Sequence, residues 1–231
     1  MTQKVYYKLS ELLEIACFNL NSCMIAEKAG AHRIEFCSNY NLGGTTPSDA
    51  DISEIKKKVH IPVHVIIRPR GGNFIYTNEE IEQMKRSIEV CKQNKIDGVV
   101  FGNLNSDHTI NELQCKELIE LAKPMKTVFH RAIDELNNIE EGFKKLIELK
   151  FDAVLTSGGK GSALSGINKL KELQLANGHQ IQLIAGGGIR SSNIEQIRSF
   201  TACQFYHSAA IIDQSELANE QEIKKLLSQL S

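Results

Sequence analysis

Short runs of apolar and β-branched residues recur along the chain, and amphipathic stretches separate them. Eight runs read as strands: Leu12–Cys17, Arg33–Cys37, Val63–Arg68, Gly98–Phe101, Thr127–His130, Ala153–Thr156, Gln180–Ala185 and Gln204–His207. Their starts fall 21 to 35 residues apart, about one strand–helix unit each. The stretches between them carry helical periodicity. Ile52, Ile55 and Val59 share a face within 48–59, and Ile81, Met84, Ile88 and Cys91 share one within 78–94. Gly30 reads as a helix C-cap and Asn78 as an N-cap. Further helices are expected at 22–29, 113–122, 139–149, 164–175 and 192–200, with a last one at about 215–230.

Eight such units predict an α/β fold, a single (β/α)8 TIM-type barrel spanning residues 1–231. An open doubly wound sheet is the competing arrangement, but no GxGxxG opens a helix, so no nucleotide cofactor is expected. Composition narrows the function classes. Lys plus Arg number 27 and Asp plus Glu 28, so there is no basic excess for nucleic acid. No apolar run reaches the roughly 20 residues of a membrane helix. The first residues lack the features of a secretory signal. Six scattered cysteines without a CxxC pair suit a reduced, cytoplasmic protein.

Nine of the 16 glycines lie in four clusters, each after a predicted strand: Gly43-Gly44, Gly71-Gly72, Gly158-Gly159 and Gly186-Gly187-Gly188. In a barrel these loops share the C-terminal rim, where backbone N–H groups can meet an anion. Ser157, Gly158, Gly187 and Gly188 are therefore candidate anion contacts, as are Arg68, Arg70, Gly71 and Gly72 in the segment after the third strand. Tight turns and salt-bridged loops are the plainer use of the same residues. Polar residues also fall at strand positions that alternation turns inward: Glu14, Glu35, His64, Arg68 and His130. Glu35, His64 and His130 are candidate acid–base groups, Arg131 a further anion contact, and Asp134 a partner for either His130 or Arg131. A Glu–Arg network filling the barrel is the structural alternative for Glu14 and Glu35.

Several of these segments together resemble the CutC family. They include LEIAC at 13–17, AGAHRIEFC at 29–37, GGTTPS at 43–48, IRPRGG at 67–72, FHRA at 129–132 and GGGI at 186–189. The resemblance covers about residues 10–212. It implies a cytosolic TIM-type barrel, usually a homo-oligomer such as a dimer or tetramer, with a role in copper homeostasis. It also implies Cu(I) binding by Cys17 and Cys37, and soft thiolates suit that ion. Alternation sets a condition: if Glu14 points inward, Cys17 within the same strand points out, away from Cys37. The arginines near the rim suit an anion rather than a cation. Two functions therefore stay open, a copper-binding protein and an isomerase- or lyase-type enzyme for a small anionic or phosphorylated metabolite. A scaffold role explains the polar rim least well.

Overall fold

A computed structural model describes residues 11–230. Eight strands and eight helices alternate: β1 (Leu12–Cys17), α1 (Leu20–Ala29), β2 (Arg33–Phe36), α2 (Asp49–Lys58), β3 (Val63–Ile66), α3 (Asn78–Gln93), β4 (Gly98–Phe101), α4 (Glu112–Ala122), β5 (Lys126–Phe129), α5 (Ile139–Leu149), β6 (Ala153–Thr156), α6 (Ile167–Asn177), β7 (Gln182–Ala185), α7 (Ile194–Thr201), β8 (Phe205–Ser208) and α8 (Glu220–Ser228). All neighbouring strands are parallel, and β8 pairs with β1 to close the barrel in sequence order. The open-sheet alternative is thereby excluded. Among the described residues, no helix is long and apolar enough to cross a membrane.

Local chemistry explains most helix ends. Asn19 accepts from the Ser22 amide at the start of α1, and Gly30 closes that helix at φ 95°, a left-handed conformation glycine adopts without strain. Helix α3 opens one residue earlier than expected: Thr77, not Asn78, is the cap, and its hydroxyl and Glu80 form a reciprocal capping box. Helix α6 starts at Ile167 rather than near Leu164, because residues 163–166 form a turn before the helix begins.

Two apolar layers result. Outward-facing strand residues such as Leu13, Ile15, Cys17, Ile34, Phe36, Val63 and Val65 pack with the buried faces of the helices. Inside the barrel a smaller cluster, Val100, Val128, Ala153, Leu155 and Ile184, fills the β4–β7 side, with Phe205 against it. The β1–β3 and β8 side of the interior holds Glu14, Glu35 and His64, all buried, together with Arg33 and His207. Glycines on β4 make room for the imidazoles. A Cβ on Gly98 would stand 2.5 Å from the His64 ring, and one at Gly102, just past the strand, 2.7 Å from that of His130.

Candidate functional site at the C-terminal mouth

A cavity of about 370 Å³ opens at the C-terminal mouth. Glu35, Cys37, Arg68, Phe74, His130, Arg131, Gly187, Gly188, Arg190 and His207 are among its lining residues. Barrel enzymes keep their sites at this end. Beneath it runs a connected series of polar side chains. Register places Glu14 beside Arg33 on one side and His207 on the other. Arg33 Nε donates to Glu14 Oε2 at 2.5 Å, and Glu14 Oε1 lies 2.8 Å from His207 Nδ1. His207 Nε2 is 3.6 Å from Glu35 Oε2, which in turn accepts from Cys37 Sγ at 3.5 Å. The series reaches from the barrel interior to the cavity wall.

Its charges are set by competition between burial and neighbours. Burial alone raises the Glu14 carboxyl, but Arg33 and then His207 outweigh it and hold the group well below the usual range. Burial likewise lowers His207, yet Glu35 and Glu14 reverse the effect and raise it. Burial raises Glu35; His207 works against that and Glu14 with it. His207 and Glu35, both shifted upward, thus lie 3.6 Å apart next to the cavity. The Cys37 thiol is pushed well up, first by burial and then by Glu35.

The other histidines behave differently. His64 is not part of the mouth: it lines a separate cavity of about 250 Å³ with Glu14, Arg33, Asp97 and Lys126, and its Nδ1 has no partner. Burial, reinforced by Arg33, lowers it to about 4. His130 does line the mouth, but Phe74 packs against it, with ring centroids 4.6 Å apart and planes tilted by 52°. Its Nδ1 accepts from the Ala132 amide and its Nε2 is unpartnered. Burial and then Arg68 lower it to about 3, so it is a neutral imidazole.

Much of the arginine-rich rim is occupied with holding loops. Arg68 donates to the carbonyls of Leu42, Gly44 and Gly72 at 2.8–2.9 Å, and its guanidinium lies 4.8 Å from the Phe74 centroid. It ties the β2 and β3 loops together, which leaves only its Nε without a partner. Arg70 is bound to Asn73 and Ile75 in its own loop and to Glu80 of α3, and neither it nor Gly71 lines the cavity. Asp134 partners Arg131, not His130. It accepts from Arg131 Nε at 2.9 Å, Thr156 Oγ1 at 2.6 Å, the Ser157 hydroxyl at 2.8 Å and the Gly159 amide at 3.0 Å. Ser157 and Gly158 belong to this loop support, and neither lines the cavity, whereas Gly187 and Gly188, with φ 97° and 73°, do. Sequence reasoning overlooked His207 and Arg190. The alternation that selected His64 on β3 applies equally to His207 on β8 and was the available signal. Arg190, just past the GGGI loop, donates to Ile189 O, Ser208 Oγ and Ile211 O.

Glu14 points inward, so the condition on the cysteines is met in its unfavourable form. Cys17 lies in the layer between strands and helices, while Cys37 lines the mouth. After burial, the neighbour that raises the Cys17 thiol most is Cys23 on α1, ahead of Cys37. Among the described residues, no three His, Cys, Asp or Glu side chains gather into a metal-holding group.

Comparison with known proteins places this barrel. It is 39% identical over 199 residues to the human copper homeostasis protein cutC homolog, covering 86% of this chain and 73% of that one. A CutC family protein of Parabacteroides distasonis is 38% identical over 216 residues, 92% of this chain and 89% of that one. The crystal structure of CutC from Streptococcus agalactiae superposes with a TM-score of 0.81 at 30% identity, covering 86% of this chain and 98% of that one. Phosphoribosyl anthranilate isomerase of Thermotoga maritima, at TM-score 0.66 and 12% identity, shares the fold alone. The family model for CutC matches residues 11–212, and the chain belongs to the CutC family.

Proposed function

We propose that this protein takes part in copper homeostasis and does so by binding Cu(I) through buried thiols at the β1–β2 side of the barrel. The observation that carries the reading is that relatives named for copper homeostasis match most of this chain at up to 39% identity. Among the described residues all six cysteines are unpaired and buried, which fits a soft monovalent ion and a reducing, cytoplasmic setting. The pair assigned by resemblance, Cys17 and Cys37, fits poorly as it stands, because the two side chains lie on opposite faces of the barrel wall. The test is anaerobic competition for Cu(I) against a chromophoric chelator. One-to-one binding that weakens when thiols are replaced is expected; weak binding indifferent to every cysteine replacement overturns the reading.

A second reading has its own observation, the His207–Glu35 pair, 3.6 Å apart, in the wall of the mouth cavity. Such a pair, with Arg131 and Arg190 near it, suits acid–base chemistry on a small anionic metabolite. A thermal-shift panel of small phosphorylated and carboxylated compounds tests it. Stabilisation that is lost in Arg131→Ala is expected, and a flat response across the panel rejects it.

A further inference from the structure

The glycine clusters of the rim differ in what their amides do. After β2, the Gly43 and Gly44 amides donate to the carbonyls of Tyr40 and Asn39. After β6, the Gly158 amide donates to Thr156 Oγ1 and the Gly159 amide to Asp134. The pair after β3, Gly71-Gly72, lies outside the mouth cavity. The loop after β7 is built the other way round. Its carbonyls are committed: Gly187 O accepts from the Ala163 amide at 2.8 Å, Gly188 O from Asn193 Nδ2 at 2.9 Å, and Ile189 O from Arg190 and Ser208. Among the described residues, no acceptor meets the amides of Gly187, Gly188 or Ile189. A trans peptide sets each N–H opposite the preceding carbonyl, so the bond that draws Gly187 O to Ala163 turns the Gly188 amide the other way.

Other donors surround this loop. Arg131 lies against it: a Cβ on Gly187 would stand 3.3 Å from Arg131 Cζ and 3.5 Å from its Nη1. Asp134 and Ser157 hold Arg131 through Nε and Nη2, and Nη1 has no acceptor among the described residues. Arg190 follows the loop and lines the cavity, as does Ala209 after β8, whose amide is also without an acceptor there. The buried His130 adds a neutral donor. Its Nδ1 accepts from the Ala132 amide, which leaves the ring proton on the unpartnered Nε2.

We propose that the β7 loop seats the phosphoryl group of a small phosphate monoester, with the Gly187 and Gly188 amides and the Arg131 and Arg190 guanidinium groups as its donors. The inference rests on the second reading above and names the substrate class within it. A phosphoryl group carries about two negative charges at neutral pH and three strong acceptor oxygens. Successive backbone amides in a turn form an anion-binding concavity, and arginine matches phosphate geometry. A carboxylate, with one charge and two oxygens, uses less of this set. Glycine is required at 187 on two counts: its φ is 97°, and a Cβ there would also stand 3.1 Å from Ser157 Cβ. The loop adjoins the polar half of the barrel, since a Cβ on Gly186 would stand 3.3 Å from His207 Cβ. A molecule held by its phosphoryl group at β7 thus brings its organic part to His207 and Glu35. The cavity of about 370 Å³ is near the lower end of the range for ligand pockets, which keeps that part small.

The experiment is titration of the ¹⁵N-labelled full chain with inorganic phosphate and with glycerol 3-phosphate, reading backbone amide shifts. Acetate and lactate are titrated in parallel, and Arg131→Ala and Arg70→Ala are compared with wild type. The phosphates are expected to move the Gly187, Gly188 and Ala209 amides most, and to do so at lower concentration than the carboxylates. Arg131→Ala is expected to weaken phosphate binding roughly 10- to 100-fold, the usual cost of losing a hydrogen bond to a charged group. Arg70→Ala, whose side chain lies outside the cavity, is expected to leave it unchanged. If Arg131→Ala fails to fold, the wild-type shifts locate the site by themselves. Phosphate shifts that fall elsewhere, or an affinity indifferent to Arg131→Ala, overturn the proposal. Tighter binding of acetate or lactate than of the phosphates at the mouth also overturns it, while the second reading survives. If none of the four compounds moves an amide at the mouth, that reading fails, and this inference with it.

Discussion

The two halves of the barrel interior are built on opposite principles. The β4–β7 half is filled by Val100, Val128, Ala153, Leu155 and Ile184, and its stability comes from close packing. The half formed by β8, β1, β2 and β3 holds Arg33, Glu14, His207, Glu35 and His64 in place of such a layer. Charged groups this deep are costly unless each has a partner. An apolar filling of similar volume would serve stability as well or better. The polar side reaches the mouth cavity through Glu35 and His207.

The contrast is broken most severely by removing one member of the buried series. Arg33→Met leaves Glu14 with less of the positive charge that holds it ionised, and a loss of about 3–5 kcal/mol in urea unfolding is expected. Adding Glu14→Met should recover much of that loss, because the uncompensated charge goes with it. A loss below about 1 kcal/mol for Arg33→Met would place this pair with weak surface ion pairs instead.

Acid should expose the same asymmetry. His64 has a folded pKa of about 4, well below its ordinary value, so the unfolded chain takes up its proton first as pH falls. Its contribution to stability is therefore full above pH 6.5 and lost progressively between about 6.5 and 4, on the order of 3 kcal/mol. His130, at about 3, acts in the same direction over a wider span. His207 acts oppositely: its pKa is raised, so its contribution is full below its unfolded pKa and fades as pH rises through the folded value. Unfolding measured across pH 4 to 7 should show a shallower acid loss in His64→Gln than in wild type. An unchanged pH profile would mean that His64 is not held neutral.

The apolar half gives the control. Ile184→Val removes one methylene from a fully buried position and should cost about 1 kcal/mol, with no dependence on pH between 4 and 7. A pH-dependent cost there would show that the two halves are coupled through shared packing.

How far the sequence announces this arrangement differs between the wall and what the wall carries. The barrel follows from strand spacing and helical stripes, because both are local and repeat eight times. The inward direction of Glu14 and Glu35 follows from alternation alone. What Arg68 does is not legible, since its acceptors are backbone carbonyls of Leu42 and Gly44, more than twenty residues away in another loop. Asp134 poses the same difficulty: its place three residues after Arg131 is consistent with either partner, and only the fold of the β6 loop around it decides. Cys23 reads as ordinary packing in a helix, and in the fold it is buried in the same apolar layer as Cys17. His207 differs from these, because the period-two pattern of β8 already turned it inward.

The smallest expected effect lies just outside the polar half. Arg70 and Arg68 are two residues apart, yet Arg68 is buried over Phe74 with bonds to three backbone carbonyls, while Arg70 is 38% exposed and bound to Glu80 and its own loop. Exposed ion pairs contribute about 0–1 kcal/mol, and Arg70→Ala should fall within that range, with ligand binding at the mouth unchanged. Arg68→Ala strands the carbonyls of Leu42, Gly44 and Gly72 and removes the cover from Phe74, so it should cost more than Arg70→Ala in the same unfolding assay. Comparable losses from the two would mean that the loop after β3 acts as one unit, and that the boundary of the polar half lies at Glu80 rather than at Arg68.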